Sequence, residues 1–550
     1  MVDIIRPAEY FANASLLFAI IPQNIKGTEL DEKKRIAQAA GLMSIATLIS
    51  RILGYVKDMI LARFFGATGI ADTFFVAFRI PNLLRELFAE GAMSSAFIPV
   101  LTEYQTRHGR EEAKRLVRIA FTFILIGVGF LCIVGIIFAP GIVRVIAPGF
   151  ASMPQKFSLT VSLTRIMFPF LLFISLAALI MGALNTRRIF FVPSLAPATL
   201  NITIIILVLI FATRMEQPIF AVAAGVALGG LIQFAFQLPS FFKSGYSLSP
   251  DYGFKHDGLK KMATLMMPAT MGMAVAQINI FVSTILASYL PEGSITYLYY
   301  SMRLIQFPVG IFGVAMGMAV LPSLSEHAVR GDYGKLREDF SYALRVLFFI
   351  TVPAMAGLIA LREPIVHILF QRGQFDYPAT VGTAHALLFY SLGIWSIVGV
   401  RVVTATFYSM QDTRTPVKIA AVAVAANILF SIVLMQPLKH SGLALANSLA
   451  SGLNFLLLFM FLRKRLVTID GKRILSSFVK IVIASAIMGI SAWLLLHGTL
   501  WQTYGHTFQK VLYLSGTVVL CIGVYLGVIF LLKSEELNSL VVMIRQKFRK

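Results

Sequence analysis

The chain has 550 residues, 57% of them hydrophobic and 13% charged, and a mean hydropathy of +0.80, which excludes an ordinary soluble domain. A formal net charge of +22 on so apolar a chain fits the basic loops of a polytopic membrane protein, and nucleic-acid binding is an unnecessary inference. Cys132 and Cys521 both lie inside apolar runs, so neither a disulfide framework nor a cysteine-based metal site is expected.

In chain order, residues 1–37 come first. Their short run NASLLFAII has the look of a signal peptide, but Asp3 precedes it and no small-residue cleavage site follows, so the segment reads as an N-terminal extension. A bilayer crossing needs about 20 apolar residues, and on that criterion the expected fold is an all-α polytopic membrane protein with about 14 transmembrane helices. The spans lie near 38–63, 73–101, 118–146, 158–184, 190–212, 217–240 and 260–288 in the first half. Those of the second half lie near 295–324, 341–361, 380–408, 416–435, 441–462, 475–497 and 511–532. Pro81, Pro169 and Pro308 fall within spans, which is tolerable where neighbouring helices or water satisfy the freed backbone groups.

The connections alternate in charge. TRHGREEAKRLVR, NTRRIF, KHDGLKK, RGDYGKLRED, DTRTPVK and RKRLVTIDGKR form one basic set, whereas SYLPEGSIT in the other set has no Lys or Arg. Positive loops stay in the cytoplasm, so the basic side and both termini are expected there.

The chain also resembles itself. AFRIPNLLRELFAEGAMSSAFIPVLTEY aligns with SMRLIQFPVGIFGVAMGMAVLPSLSEH, setting Arg79 opposite Arg303, Pro99 opposite Pro322 and Glu103 opposite Glu326. LNTRRIFFVPSLAPATLNI pairs with MQDTRTPVKIAAVAVAANI at nearly the same offset, with Asn201 opposite Asn427. Two matches in one order suggest two six-helix lobes, parallel repeats related by a pseudo-two-fold axis, with two C-terminal helices left over. The expected divisions are 1–37 extension, 38–240 N-lobe, 241–258 cytoplasmic linker, 259–463 C-lobe, 464–532 terminal pair and 533–550 basic tail.

Charges inside these spans carry the functional signal. A central Arg or Lys costs about 2.5–3.5 kcal/mol on insertion scales, so it normally faces a water-filled cavity or an ionic partner. Span one carries Arg51, Lys57, Asp58 and Arg63, span two carries Arg79, Arg85, Glu86 and Glu90, and span eight carries Arg303. The plainer readings are that Arg63 snorkels from a helix end and that Arg51 and Asp58, seven apart on one face, neutralise each other. Glu86 and Glu90 are either interfacial or partners of Arg85 and Arg79. Arg165 and Arg401 carry less signal. For Arg85 and Arg303 no acidic partner stands out on the same helix turn, and excess positive charge inside a bundle implies an anionic visitor.

SRILGYVKDMILARFFGATGIADTFFVAFRIPNLLRELFAEGAMSSAFIPVL, YYSMRLIQFPVGIFGVAMGMAVLPSLS and PVKIA closely resemble the MurJ (MviN) family of lipid II flippases. That family belongs to the multidrug/oligosaccharidyl-lipid/polysaccharide exporter superfamily, and the resemblance runs from about residue 38 to the C-terminus. It implies movement of lipid II, the undecaprenyl-diphosphate-linked peptidoglycan precursor, from the cytoplasmic to the periplasmic leaflet of the bacterial inner membrane by alternating access with a cationic central cavity. It also implies that Arg51, Lys57, Arg85 and Arg303 bind substrate, that Ser50, Asp58 and Asn82 line the cavity, and that Asp72 serves gating or coupling. Lys57 stands where Arg is common, Met302 where some members have Asp, and Gln306 where some have Glu; Lys keeps the charge and loses the bidentate fork. The two missing acids put in doubt any coupling scheme that relies on carboxylates beside Arg303.

The chemistry fits that substrate. A partly dehydrated diphosphate is best held by several Arg or Lys donors in a confined site. The almost charge-free terminal pair would wall a groove for the polyprenyl tail. The expected partners are lipid II, the bilayer and the cell-wall synthesis machinery, with no cofactor, metal or nucleic acid. A flippase for another polyprenyl-diphosphate-linked oligosaccharide is the alternative. A drug/cation antiporter would favour an acidic cavity. A membrane transferase or phosphatase would need a catalytic or metal cluster that the eight scattered histidines do not form, so no enzyme activity is expected.

Overall fold

The computed structural model describes residues 27–86, 93–466 and 469–548. Residues 1–26 of the expected N-terminal extension, Glu90, and the last two residues of the basic tail lie outside the described residues. Among the described residues there is no strand, and the chain divides into two compact units at Glu292/Gly293.

The first unit begins with α1 (Gly27–Phe65), α2 (Gly69–Arg85), α3 (Met93–Arg107) and α4 (Arg110–Ile137). After α5 (Ala139–Ile146) come α6 (Pro154–Met167) and α7 (Pro169–Thr186), which share one membrane span broken at Phe168. Pro169 causes the break, because its ring has no N–H and fits the first turn of a new helix. The unit closes with α8 (Phe191–Phe211), α9 (Ile219–Lys243) and α10 (Asp257–Ser288). One core gathers Phe97, Leu101, Leu116, Leu179 and Phe241 from α3, α4, α7 and α9. Among membrane helices such contacts act through close packing, and small residues permit it. A Cβ on Gly182 would stand 2.6 Å from the Phe97 ring.

The second unit opens with α11 (Ser294–Pro308), a π turn over Val309–Gly313 and α12 (Val314–Val329). Then come α13 (Tyr333–Ala360), α14 (Arg362–Phe370), α15 (Tyr377–Ser391), α16 (Ile394–Ser409), α17 (Arg414–Leu438) and α18 (His440–Leu466). The terminal pair is α19 (Gly471–Leu496) and α20 (Thr507–Leu531), followed by α21 (Glu535–Phe548).

Two polar networks tie the terminal helices to the rest of the second unit. At one end Arg345 of α13, only 4% exposed, donates to Glu536 at 2.6 Å and to Glu535 at 2.9 Å. Arg473 and Ser477 of α19 bond the same two carboxylates. Bonds from Arg473 and Arg345 hold Glu535 below the usual carboxylate range. At the other end Lys510 of α20, 1% exposed, donates to the Thr503 carbonyl at 2.6 Å and lies 3.0 Å from His367 Nε2. His367 Nδ1 lies 2.8 Å from Gln371 Oε1, which also accepts from Thr380. The network is complete when His367 is neutral, donating from Nδ1 and accepting at Nε2.

Eleven segments of the described chain are long and apolar enough to cross a membrane. Three expected spans are not among them: 38–63, 73–101 and 260–288. The first carries Arg51, Lys57, Asp58 and Arg63, and within α10 the apolar stretch among the described residues is Gln277–Ser288.

Candidate functional site

In the first unit the cationic positions lie on α1 and α2. Ser50 and Arg51 fall midway along α1, with Arg51 exposed and the Ser50 carbonyl accepting from Asn201 of α8 at 3.3 Å. Two turns on, Asp58 is fully buried and Lys57 Nζ stands 3.1 Å from its carboxylate. Burying one charge without its partner is strongly unfavourable, so the adjacent pair makes this charged turn tolerable.

On α2, Asn82 bridges two charged neighbours. Its amide nitrogen donates to Glu86 at 2.9 Å, and its oxygen accepts from Arg85 Nε at 3.1 Å. Arg85 Nη2 is 3.7 Å from Glu86, whose other oxygen accepts from Gln277 of α10 at 2.7 Å. Arg85 therefore pairs with Glu86, one of the two readings the sequence leaves open for that acid, although no acidic partner stands out for Arg85 on its own helix turn. Asn82 and Glu86 fix the plane of the guanidinium fork, and Gln277, which the sequence did not single out, anchors Glu86.

Asp72 occupies the first turn of α2, where a carboxylate complements the helix dipole. It is 1% exposed, and Lys156 of α6 lies 3.5 Å from it. Lys156 also reaches Glu292, 3.8 Å away, and sits 4.4 Å over the Phe150 ring. Nearby, the Gly149 N–H donates to Ser288 Oγ at 3.1 Å. Lys156 thus ties α2, α6 and the segment after α10. Sequence reading missed it, although it is the one basic residue between Arg144 and Arg165.

Arg303 lies on α11 in the second unit, half-buried, between half-buried Met302 and exposed Gln306. Ser301 beside it donates to the Thr383 carbonyl at 2.9 Å, pinning α11 to α15. Pro308 and the π turn follow within two turns, and π turns recur where a helix must re-aim side chains. Gly313 and Gly317 make room for Arg401: a Cβ on either would stand 3.3 and 3.6 Å from its side chain. Arg165, by contrast, donates to the Ile136 carbonyl at the end of α4, the task of a helix cap.

Glu103 pairs with Arg107 at 3.6 Å, and its counterpart Glu326 pairs with Arg330 at 2.7 Å, both across one turn. Among the described residues no group of three His, Cys, Asp or Glu side chains is arranged to hold a metal.

The family model described as "Lipid II flippase MurJ" matches residues 61–515. A probable lipid II flippase MurJ of Vibrio cholerae is 36% identical, over 92% of this chain and 97% of that protein. A lipid II flippase MurJ of Burkholderia cenocepacia is 35% identical, over 88% of this chain and 95% of that protein. Among solved structures, a lipid II flippase MurJ in an inward closed conformation matches with a TM-score of 0.73 at 30% identity, covering 88% of this chain and 97% of that one. An inward-facing multidrug resistance MATE family transporter of the MOP superfamily matches at 0.61 and 15% identity, a likeness of fold alone. The eleven apolar segments make this a multi-pass membrane protein, its relatives are transporters rather than enzymes, and the chain belongs to the MurJ family.

Proposed function

We propose that this chain is a lipid II flippase of the bacterial inner membrane, moving the lipid from the cytoplasmic to the periplasmic leaflet by alternating access. Family membership supports the substrate. The observation that carries the mechanism is the set of cations held on apolar helices, Arg51, Lys57 and Arg85 in one unit and Arg303 in the other. A diphosphate needs several such donors. Ser50, Asp58 and Asn82 position them, Asp58 by its bond to Lys57 and Asn82 by its bond to Arg85. In this reading 38–240 and 259–463 are the repeated lobes joined by the linker 241–258, α19 and α20 guide the polyprenyl tail, and both termini are cytoplasmic. Enzymes of cell-wall synthesis are the natural partners on either side of the transport step.

Asp72 acts in gating. Its bond to Lys156, shared with Glu292, latches three segments of the first unit, and transport requires the latch to open. Lys156→Met should slow transport per molecule of protein in the membrane, beyond any fall in abundance from leaving Asp72 buried without its partner, because a permanently neutral side chain cannot reset the latch. Wild-type transport in that variant would remove Asp72 and Lys156 from the cycle.

The decisive test replaces Arg51, Arg85 and Arg303 singly by Ala in a flippase-deficient strain. Complementation should fail while membrane abundance stays near normal. If abundance falls in step with activity, the cations are structural. Leaflet accessibility of lipid II after rapid depletion of the protein tests the substrate, and transport of a different head group with equal efficiency would favour another lipid-linked oligosaccharide.

A further inference from the structure

The second unit contains a cavity of about 760 Å³ that includes none of the residues assigned above. Four candidate spans begin or end at it: Ser294–Val329, Tyr333–Ala360, Tyr377–Ser409 and His440–Leu466. It therefore lies at the membrane boundary. Its wall includes Arg337, Arg465 and Tyr333 on the polar side and Val329, Met410 and Leu466 on the apolar side, with no carboxylate among the lining residues.

Two features oppose an anion in the cavity, and local bonds engage both. The first is Asp412 behind Arg465. It already accepts from the Arg414 and Thr415 backbone at 3.1 and 3.0 Å, from Thr415 Oγ1 at 2.8 Å and from Arg465 itself. The second is the negative end of each helix terminating there. At α16 the last carbonyls are occupied, Asp412 N donating to Phe407 O and Gln411 N to Tyr408 O, both at 2.9 Å. At α12 Asp332 N donates to His327 O at 3.0 Å and Gly331 N to Ala328 O at 3.2 Å. Gly331 supplies the φ of 70° that this closure requires. Arg337 is braced by its Nε bond to the Tyr333 carbonyl at 2.8 Å, which fixes the direction of its fork.

We propose that this cavity binds the phosphate head group of an anionic membrane lipid. Arg337 and Arg465 share the phosphate oxygens, while Val329, Met410 and Leu466 receive the first carbons of the acyl chains. Basic pockets between helix ends at a membrane boundary have this chemistry in general, and the volume lies within the range of small-ligand sites. Inorganic phosphate and a polyprenyl diphosphate carry the same anion, so the test must separate the three. The site is independent of the transport cations, and its failure would leave the flippase reading untouched.

The full chain in phosphatidylcholine nanodiscs is given phosphatidylglycerol, and native mass spectrometry counts the lipid retained. The wild type should retain phosphatidylglycerol. The R337Q/R465Q double variant should retain it about tenfold less, as expected when charge-assisted bonds are lost. Ala328→Trp fills the cavity without changing a charge and should show the same loss, which keeps the result readable if the double variant folds poorly. Undiminished retention by Ala328→Trp, displacement by inorganic phosphate at equal concentration, or selective retention of a polyprenyl diphosphate over phosphatidylglycerol would each overturn the proposal.

Discussion

Asn82 is the residue on which the behaviour of Arg85 turns. It holds the Arg85 Nε with its oxygen and Glu86 with its nitrogen, so the guanidinium is both oriented and partly compensated. Arg85→Lys should keep part of the transport activity, because the point charge survives while planar two-point contact is lost. Arg85→Gln should keep almost none, measured as lipid II transport at equal abundance. If Arg85 merely balances Glu86, the double variant with Glu86→Gln recovers activity, and the substrate-binding assignment has to be withdrawn. Asp58 should behave differently. It is fully buried against Lys57, so Asp58→Ala is expected to cost about 3–5 kcal/mol of stability and to lower membrane abundance before it lowers specific activity. An abundance equal to wild type would argue against a structural share in that pair.

At the scale of elements, α14 and α20 meet through a proton-sensitive bond. Burial and the charge of Lys510 push His367 below its ordinary value of 6.5, against a raising effect from Gln371. The unfolded chain therefore takes up the proton at higher pH than the folded one. Stability from this contact is fully present above pH 6.5 and is lost as pH falls below it, by at most about 1.4 kcal/mol per pH unit. Thermal unfolding should show that slope, and His367→Gln should flatten it; an identical slope in the variant would place the titration elsewhere. The α17–α18 pair makes a steric prediction. A Cβ on Gly442 would stand 2.1 Å from the Leu434 carbonyl oxygen, a backbone atom with no rotamer to yield. Gly442→Ala should cost about 1–3 kcal/mol, read as a lower melting temperature in detergent. Such contacts were not legible in the sequence, because a glycine inside an apolar run does not say which backbone it meets. Helix breaks were not legible either: Pro169 and Pro308 read in the sequence as tolerable within continuous spans, and the π turn after Pro308 has no periodicity of its own.

For the whole molecule, the helical fold, the family and the positions of the cations were legible, since each rests on composition or on contiguous motifs. The partners of those cations were not. Lys156 and Asp72 are 84 residues apart, and Gln277 and Glu86 are 191 apart, separations that no local pattern spans. Orientation is testable because Cys132 and Cys521 are both buried and give little background. A cysteine at exposed Pro291 should react with an impermeant thiol reagent from outside the cell, and one at exposed Gly334 should not. The reverse pattern would invert the membrane topology. The Arg345 anchor adds a matter of timing. Its acids, Glu535 and Glu536, follow it by 190 and 191 residues. At about 5–20 residues per second, the ribosome leaves that guanidinium waiting on the order of 10–40 s for its counter-charges. A chain that stops short of Glu535 never receives them, and its Arg345 stays buried without either carboxylate.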